Sequence, residues 1–206
     1  MMADSALQVA LLTTVGTIFI AELTDKDALF LLAMATKVRP VVVFAAGSIA
    51  FAATTAIIVT MGSVLIAFVP VSYIRVAGGA IMLAYAVWEY RNFALEKSDV
   101  EARESSLIGR RGSSWSILLP AVATLIALDL AGDATEVLTV VLLARFEDPP
   151  LVFTGCVMGL IGAVAVETAL GNRLARVLPP RRIKFFSMAV FVTIGAVVIS
   201  TTILGI

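Results

Sequence analysis

Two short stretches hold nearly all the residues that could do chemistry inside this chain. The first, AELTDKDALF at 21–30, sets Glu22, Asp25, Lys26 and Asp27 among apolar neighbours. The second, ALDLAGDATEVL at 127–138, does the same with Asp129, Asp133 and Glu136 and has no basic residue close by. A charge inside a bilayer costs about 2.5–3.5 kcal/mol, so the four at 22–27 cost on the order of 10–14 kcal/mol before pairing. Lys26 follows Glu22 by four residues, a good helical spacing for an ion pair. That pair makes Lys26 a structural partner and leaves two carboxylates over. On a continuous helix Asp129, Asp133 and Glu136 fall at i, i+4, i+7, along one stripe. Six carboxyl groups and one ammonium carry a formal charge of −5. Like charges this close must take up protons or share a cation. Carboxylates that hold a divalent ion when ionised and release it on protonation are the chemistry of cation/proton exchange. The hydroxyls of Thr24 and Thr135 can add oxygen ligands.

The elements that must position these groups are membrane helices. The 206 residues are 60% hydrophobic with a mean hydropathy of +1.04, far more apolar than a soluble domain. Six segments are predicted, at 7–36, 41–69, 72–92, 116–144, 151–177 and 184–205, bounded by prolines such as Pro40, Pro70 and Pro149. The fold class is therefore an all-α integral membrane protein. With no histidine and one cysteine, Cys156, the chain lacks the soft ligands of zinc, nickel or copper sites, and a hard cation fits the oxygen-only set. Fifteen basic residues balance fifteen acidic ones, so nothing points to nucleic acid. The start, MMADSALQ, lacks the basic region of a cleavable leader, and the first helix is expected to stay.

The halves repeat. One constant offset carries Asp25 onto Asp133, Lys37 onto Arg145, and Gly47 onto Gly155. With the offset one position longer, GSVLIAFVPVSYIR (62–75) lies over GNRLARVLPPRRIK (171–184). Three helices per half make the second half inverted, and such repeats place their site at the interface near the midplane. The expected organisation is a first repeat at 1–93, a charged, solvated linker at 94–114 and a second repeat at 115–206. Basic residues fall twelve to two on alternate faces, putting both termini outside and the linker in the cytoplasm. The two motif-bearing segments run to about 30 residues, about 45 Å of helix against a bilayer core of about 30 Å. They are expected to tilt or to break near Thr24 and Gly132. Glu167, shortly before Arg173, is expected at the cytoplasmic interface. Gly155, Gly159 and Gly162 are read as close helix contacts. The basic run from Arg173 to Lys184 is a topology signal with lipid headgroups as partners.

Glu-x-Gly-Asp-Lys/Arg-Thr/Ser, once per half, marks the Gdt-type family of Golgi, chloroplast and bacterial manganese/calcium–proton exchangers, placed in the lysine-exporter superfamily. ELTDKD (22–27) resembles the first copy, keeping Glu22, Asp25 and Lys26, and LAGDAT (130–135) resembles the second, keeping Gly132, Asp133 and Thr135. Thr24, Asp27, Leu130 and Ala134 depart from the pattern. The resemblance implies a transporter and not an enzyme, in a prokaryotic plasma membrane, with no permanently bound cofactor. Its substrates would be a divalent cation, manganese or calcium, exported in exchange for protons. Glu22, Asp25 and Asp133 are the primary ligands, followed by Asp129, Asp27 and Glu136. Two other readings differ in kind. An amino-acid exporter needs a cationic group for its substrate's carboxylate, and an intramembrane aspartyl protease would use AGD at 131–133. A homodimer burying the small-residue face of the fifth segment is also expected.

Overall fold

The computed structural model describes residues 2–23, 26–108, 114–130, 134–177 and 180–205. At 2–4, 26–27, 29, 89–90, 92–108, 114, 170–177, 180–184 and 186–187 it describes the backbone alone. The described residues form helices α1 (Met2–Glu22), α2 (Lys26–Lys37), α3 (Pro40–Phe68), α4 (Val71–Ile108), α5 (Leu118–Asp129), α6 (Ala134–Phe146), α7 (Pro149–Val177) and α8 (Pro180–Leu204). A short 3₁₀ turn, Ser114–Ile117, leads into α5. Prolines open α3, α7 and α8 at the first helical position, where a missing N–H costs nothing. Asp148 caps α7, its Oδ1 accepting from Leu151 N at 3.0 Å.

Four helical stretches among the described residues are long and apolar enough to cross a membrane: Ser5–Glu22, Pro40–Phe68, Val71–Trp88 and Pro149–Ala169. Trp115–Asp129 and Ala134–Phe146 qualify together, as a broken span or a re-entrant loop, with their axes 65° apart. Met188–Leu204 is a shorter apolar helix. The segments expected at 7–36 and 116–144 are thus each divided into two helices. Residues 94–108, expected as a solvated linker, continue α4 as helix.

Helix α1 runs parallel to α7. A Cβ on Gly155 would lie 2.7 Å from Thr14 Cγ2, one on Gly159 would lie 2.8 Å from Val15 O, and one on Gly162 would lie 3.3 Å from the Phe19 ring. Contacts ascend together along both helices, and only glycine lets the backbones approach so closely. The reading of these glycines as packing contacts holds, and the neighbour they meet within this chain is α1.

Helices α4 and α8 cross in opposite senses, since Gly79 meets the backbone of Gly195 while Tyr85, further along α4, meets Phe191, earlier on α8. Met82 and Phe191, both fully buried and equivalent under the longer of the two repeat offsets, lie at this crossing. The larger of the other interfaces exchange between halves: α1 packs on α7 as α5 packs on α3, and α2 on α7 as α6 on α3. Each half therefore closes over the other's second long helix. Arg75 on α4 donates to Ala144 O near the end of α6, from Nη2 at 2.7 Å and from Nε at 3.1 Å. That places positive charge at the negative end of the α6 dipole.

Candidate cation site

Both motifs lie at the end of a described helix. Helix α1 ends at Glu22 and α5 ends at Asp129. The closing backbone bonds correspond: Leu23 N donates to Phe19 O at 3.2 Å, and Leu130 N to Ile126 O at 2.9 Å. The two helix ends stand one position closer together in sequence than Asp25 and Asp133 do. The structure therefore pairs Asp129, and not Leu130, with Glu22. Burial agrees, for Glu22 is 0% and Asp129 5% exposed, while Leu130 is 44% exposed. The last carbonyls of a helix carry the negative end of its dipole. A carboxylate at that position attracts a cation more strongly than one elsewhere on the helix.

Asp129 and Glu136, expected on one continuous stripe, stand on separate helices, and both still line one small cavity of about 10 Å³. Thr135 and Thr139 of α6 and Thr54 and Thr55 of α3 complete its polar wall. The volume suits about one water-sized sphere. Thr139 Oγ1 donates to Thr135 O at 2.8 Å and Thr54 Oγ1 to Ala50 O at 3.2 Å. Committing its proton to the helix leaves the Thr54 oxygen's lone pairs for an electropositive guest, while Thr139 Oγ1 also meets Cys156 Sγ at 3.6 Å. Glu136 lies in the first turn of α6, at the positive end of that helix, where its charge is favoured.

Of the predicted site residues, Asp129, Thr135 and Glu136 are thus brought together, and Glu22 is buried at the end of α1. Thr24, Asp25 and Asp133 lie outside the described residues, and Lys26 and Asp27 are described by backbone only. Among the described residues no three acidic or thiol side chains converge on one point.

Sequence reasoning missed Thr54, Thr55 and Thr139, although a threonine doublet in the uncharged α3 was an available signal. It also did not anticipate the burial of Glu167. That side chain is 0% exposed, inside the apolar Pro149–Ala169 stretch, and neither carboxylate oxygen has a hydrogen-bond partner among the described residues. Nearness in sequence to Arg173 said nothing about which face of α7 Glu167 occupies, and it occupies a buried one.

Buried carboxylates at helix ends, enclosed by apolar helices, define an ion-handling integral membrane protein. The sequence model of the divalent cation/proton antiporter GDT1 matches residues 10–96 and again 118–204, two stretches whose starts stand at the same offset as Asp25 and Asp133. The chain belongs to the GDT1 divalent cation/proton antiporter family, whose members are transporters and not enzymes. No curated protein and no solved structure matches the chain.

Proposed function

We propose that the protein exchanges manganese or calcium for protons and exports the cation from the cytoplasm. Glu22, Asp25 and Asp133 are the principal ligands and proton carriers, with Asp129, Asp27 and Glu136 beside them and the hydroxyls of Thr24 and Thr135 as neutral ligands. Ionised, the carboxylates hold the cation; protonated, they let it go, so loading one substrate unloads the other. A hard cation suits an all-oxygen set. Six spans are formed by α1 with α2, α3, α4, α5 with α6, α7 and α8, as two inverted repeats whose first spans break at the motifs. The antiparallel crossing of α4 and α8 and the exchange of interfaces between halves support the inversion. The distribution of basic residues supports a cytoplasmic 94–114 and external termini.

The observation that carries this reading is the meeting of Asp129 and Glu136 with four threonines around a cavity of single-ion size. Proteoliposomes containing a dye responsive to manganese and calcium, under an imposed pH gradient, test it directly. Gradient-driven cation flux that is lost in Asp25→Asn and Asp133→Asn is expected. A folded wild-type protein that moves no divalent cation would overturn the proposal.

A further inference from the structure

Glu167 belongs to neither motif, yet three observations put it at the first of them. The first is height. Helix α7 runs parallel to α1 with Gly162 beside Phe19. Glu167 lies five residues beyond Gly162 and Glu22 three beyond Phe19, about 7.5 and 4.5 Å along their helices. The two carboxyl groups are therefore within a turn of each other, level with the junction between α1 and α2.

The second is direction. Cys156, Leu160, Val164 and Glu167 follow a spacing of four, four and three, one inward stripe of α7. Cys156 Sγ meets Thr139 Oγ1 at 3.6 Å, and Leu160 lines the cavity beside Asp129 and Glu136. Val164 and Leu31 of α2 meet at Gly47, where Val164 Cγ1 would lie 2.9 Å from an added Cβ. Glu167, one turn beyond Val164 on this stripe, faces the side on which α2 lies.

The third is the repeat. In the register that relates Gly62 to Gly171, Glu167 corresponds to Ile58. Ile58 lines the cavity at the second motif, from the long helix of the opposite half. Glu167 holds the equivalent position on α7, and α7 packs on α1 and α2 as α3 packs on α5 and α6. One half thus presents an aliphatic wall where the other presents a carboxylate. A fully buried carboxyl group is costly and is retained where something compensates it.

We propose that Glu167 is a cation-binding carboxylate of the first half-site, supplied by the second repeat to motif residues that include Glu22. The assignment rests on the exchanger reading and adds a ligand outside both motifs. Its test titrates manganese and calcium into purified full-length wild type, Glu167→Gln and Glu167→Asp. The readouts are calorimetric affinity and the melting temperature with and without cation. Glu167→Gln is expected to bind at least about tenfold more weakly without a fall in its cation-free melting temperature. Glu167→Asp, which pulls the carboxylate back by one methylene, should change the ratio of manganese to calcium affinity. Wild-type affinity in Glu167→Gln would overturn the assignment while leaving the exchanger reading intact. A lowered cation-free melting temperature with unchanged affinity would also overturn it, by showing a structural ion pair. If Glu167→Gln does not fold, Glu167→Asp decides alone: an affinity ratio like that of wild type overturns the proposal. Absence of binding and flux in wild type would remove the exchanger reading and this assignment together.

Discussion

The two helix junctions, α1/α2 and α5/α6, solve one problem with different residues. Each closes its first helix on a carboxylate, Glu22 in one and Asp129 in the other, both buried. The sequence repeat would instead pair Glu22 with Leu130, which is exposed. One residue along a helix is a rotation of about 100°, enough to swing a side chain from inside to outside. Helix α5 ends one residue earlier in the repeat than α1, and its carboxylate has moved with the end. What persists between the halves is a negative side chain at the negative end of a half-helix, and the position in the motif is secondary.

The junctions differ in the charges around them. Helix α6 carries Glu136 in its first turn. In sequence Lys26 stands beside Glu22, Asp25 and Asp27, while Asp129, Asp133 and Glu136 have no such basic neighbour. On the exchanger reading the second junction depends more fully on its bound cation or protons.

The strongest way to break this comparison is to remove the aspartate common to both motifs. On the exchanger reading, Asp133→Asn and Asp25→Asn are each expected to reduce cation flux by about 100-fold. Flux retained in one of them, measured in proteoliposomes, would show that the halves are not equivalent. Next in size is Asp129→Ala, expected to cost roughly tenfold in flux. Adding Leu130→Glu restores the family's spacing but should not rescue it, because residue 130 points outward. Rescue would mean that position in the motif outweighs burial.

A packing contrast sharpens the picture through stability. Gly159→Ala drives a Cβ into the α1 backbone and should destabilise by about 1–3 kcal/mol, read from thermal unfolding in detergent. Gly16→Ala, on the other partner helix with nothing within 4 Å, should be neutral or stabilising by up to about 1 kcal/mol. The smallest effect belongs to Thr55→Val, which keeps the shape and removes one neutral oxygen from the cavity wall. It should weaken manganese or calcium binding only a few-fold, measured by titration, with flux retained.

Much of this was legible in advance for a simple reason. Apolar runs long enough to cross a bilayer announce themselves, and charges within them are too costly to be incidental. The carboxylate clusters, the repeat of one half in the other, the glycines of α7 and the family resemblance could therefore be read from residue types and spacing. The continuation of α4 to Ile108 was not read from the sequence, since the mixed charges at 94–108 suit a helix as well as a solvated coil.

What sequence alone determined was which groups are expensive to bury and how far apart they recur. Which of them meet was decided by tertiary structure. Thr54 and Thr55 join Asp129 and Glu136 because α3 crosses the α5/α6 junction, and the glycines of α7 meet α1. The burial of Glu167 is evident only once neighbouring helices are packed against α7. Periodicity states which residues share a face of one helix, but only the packing of helices from opposite halves states what that face meets.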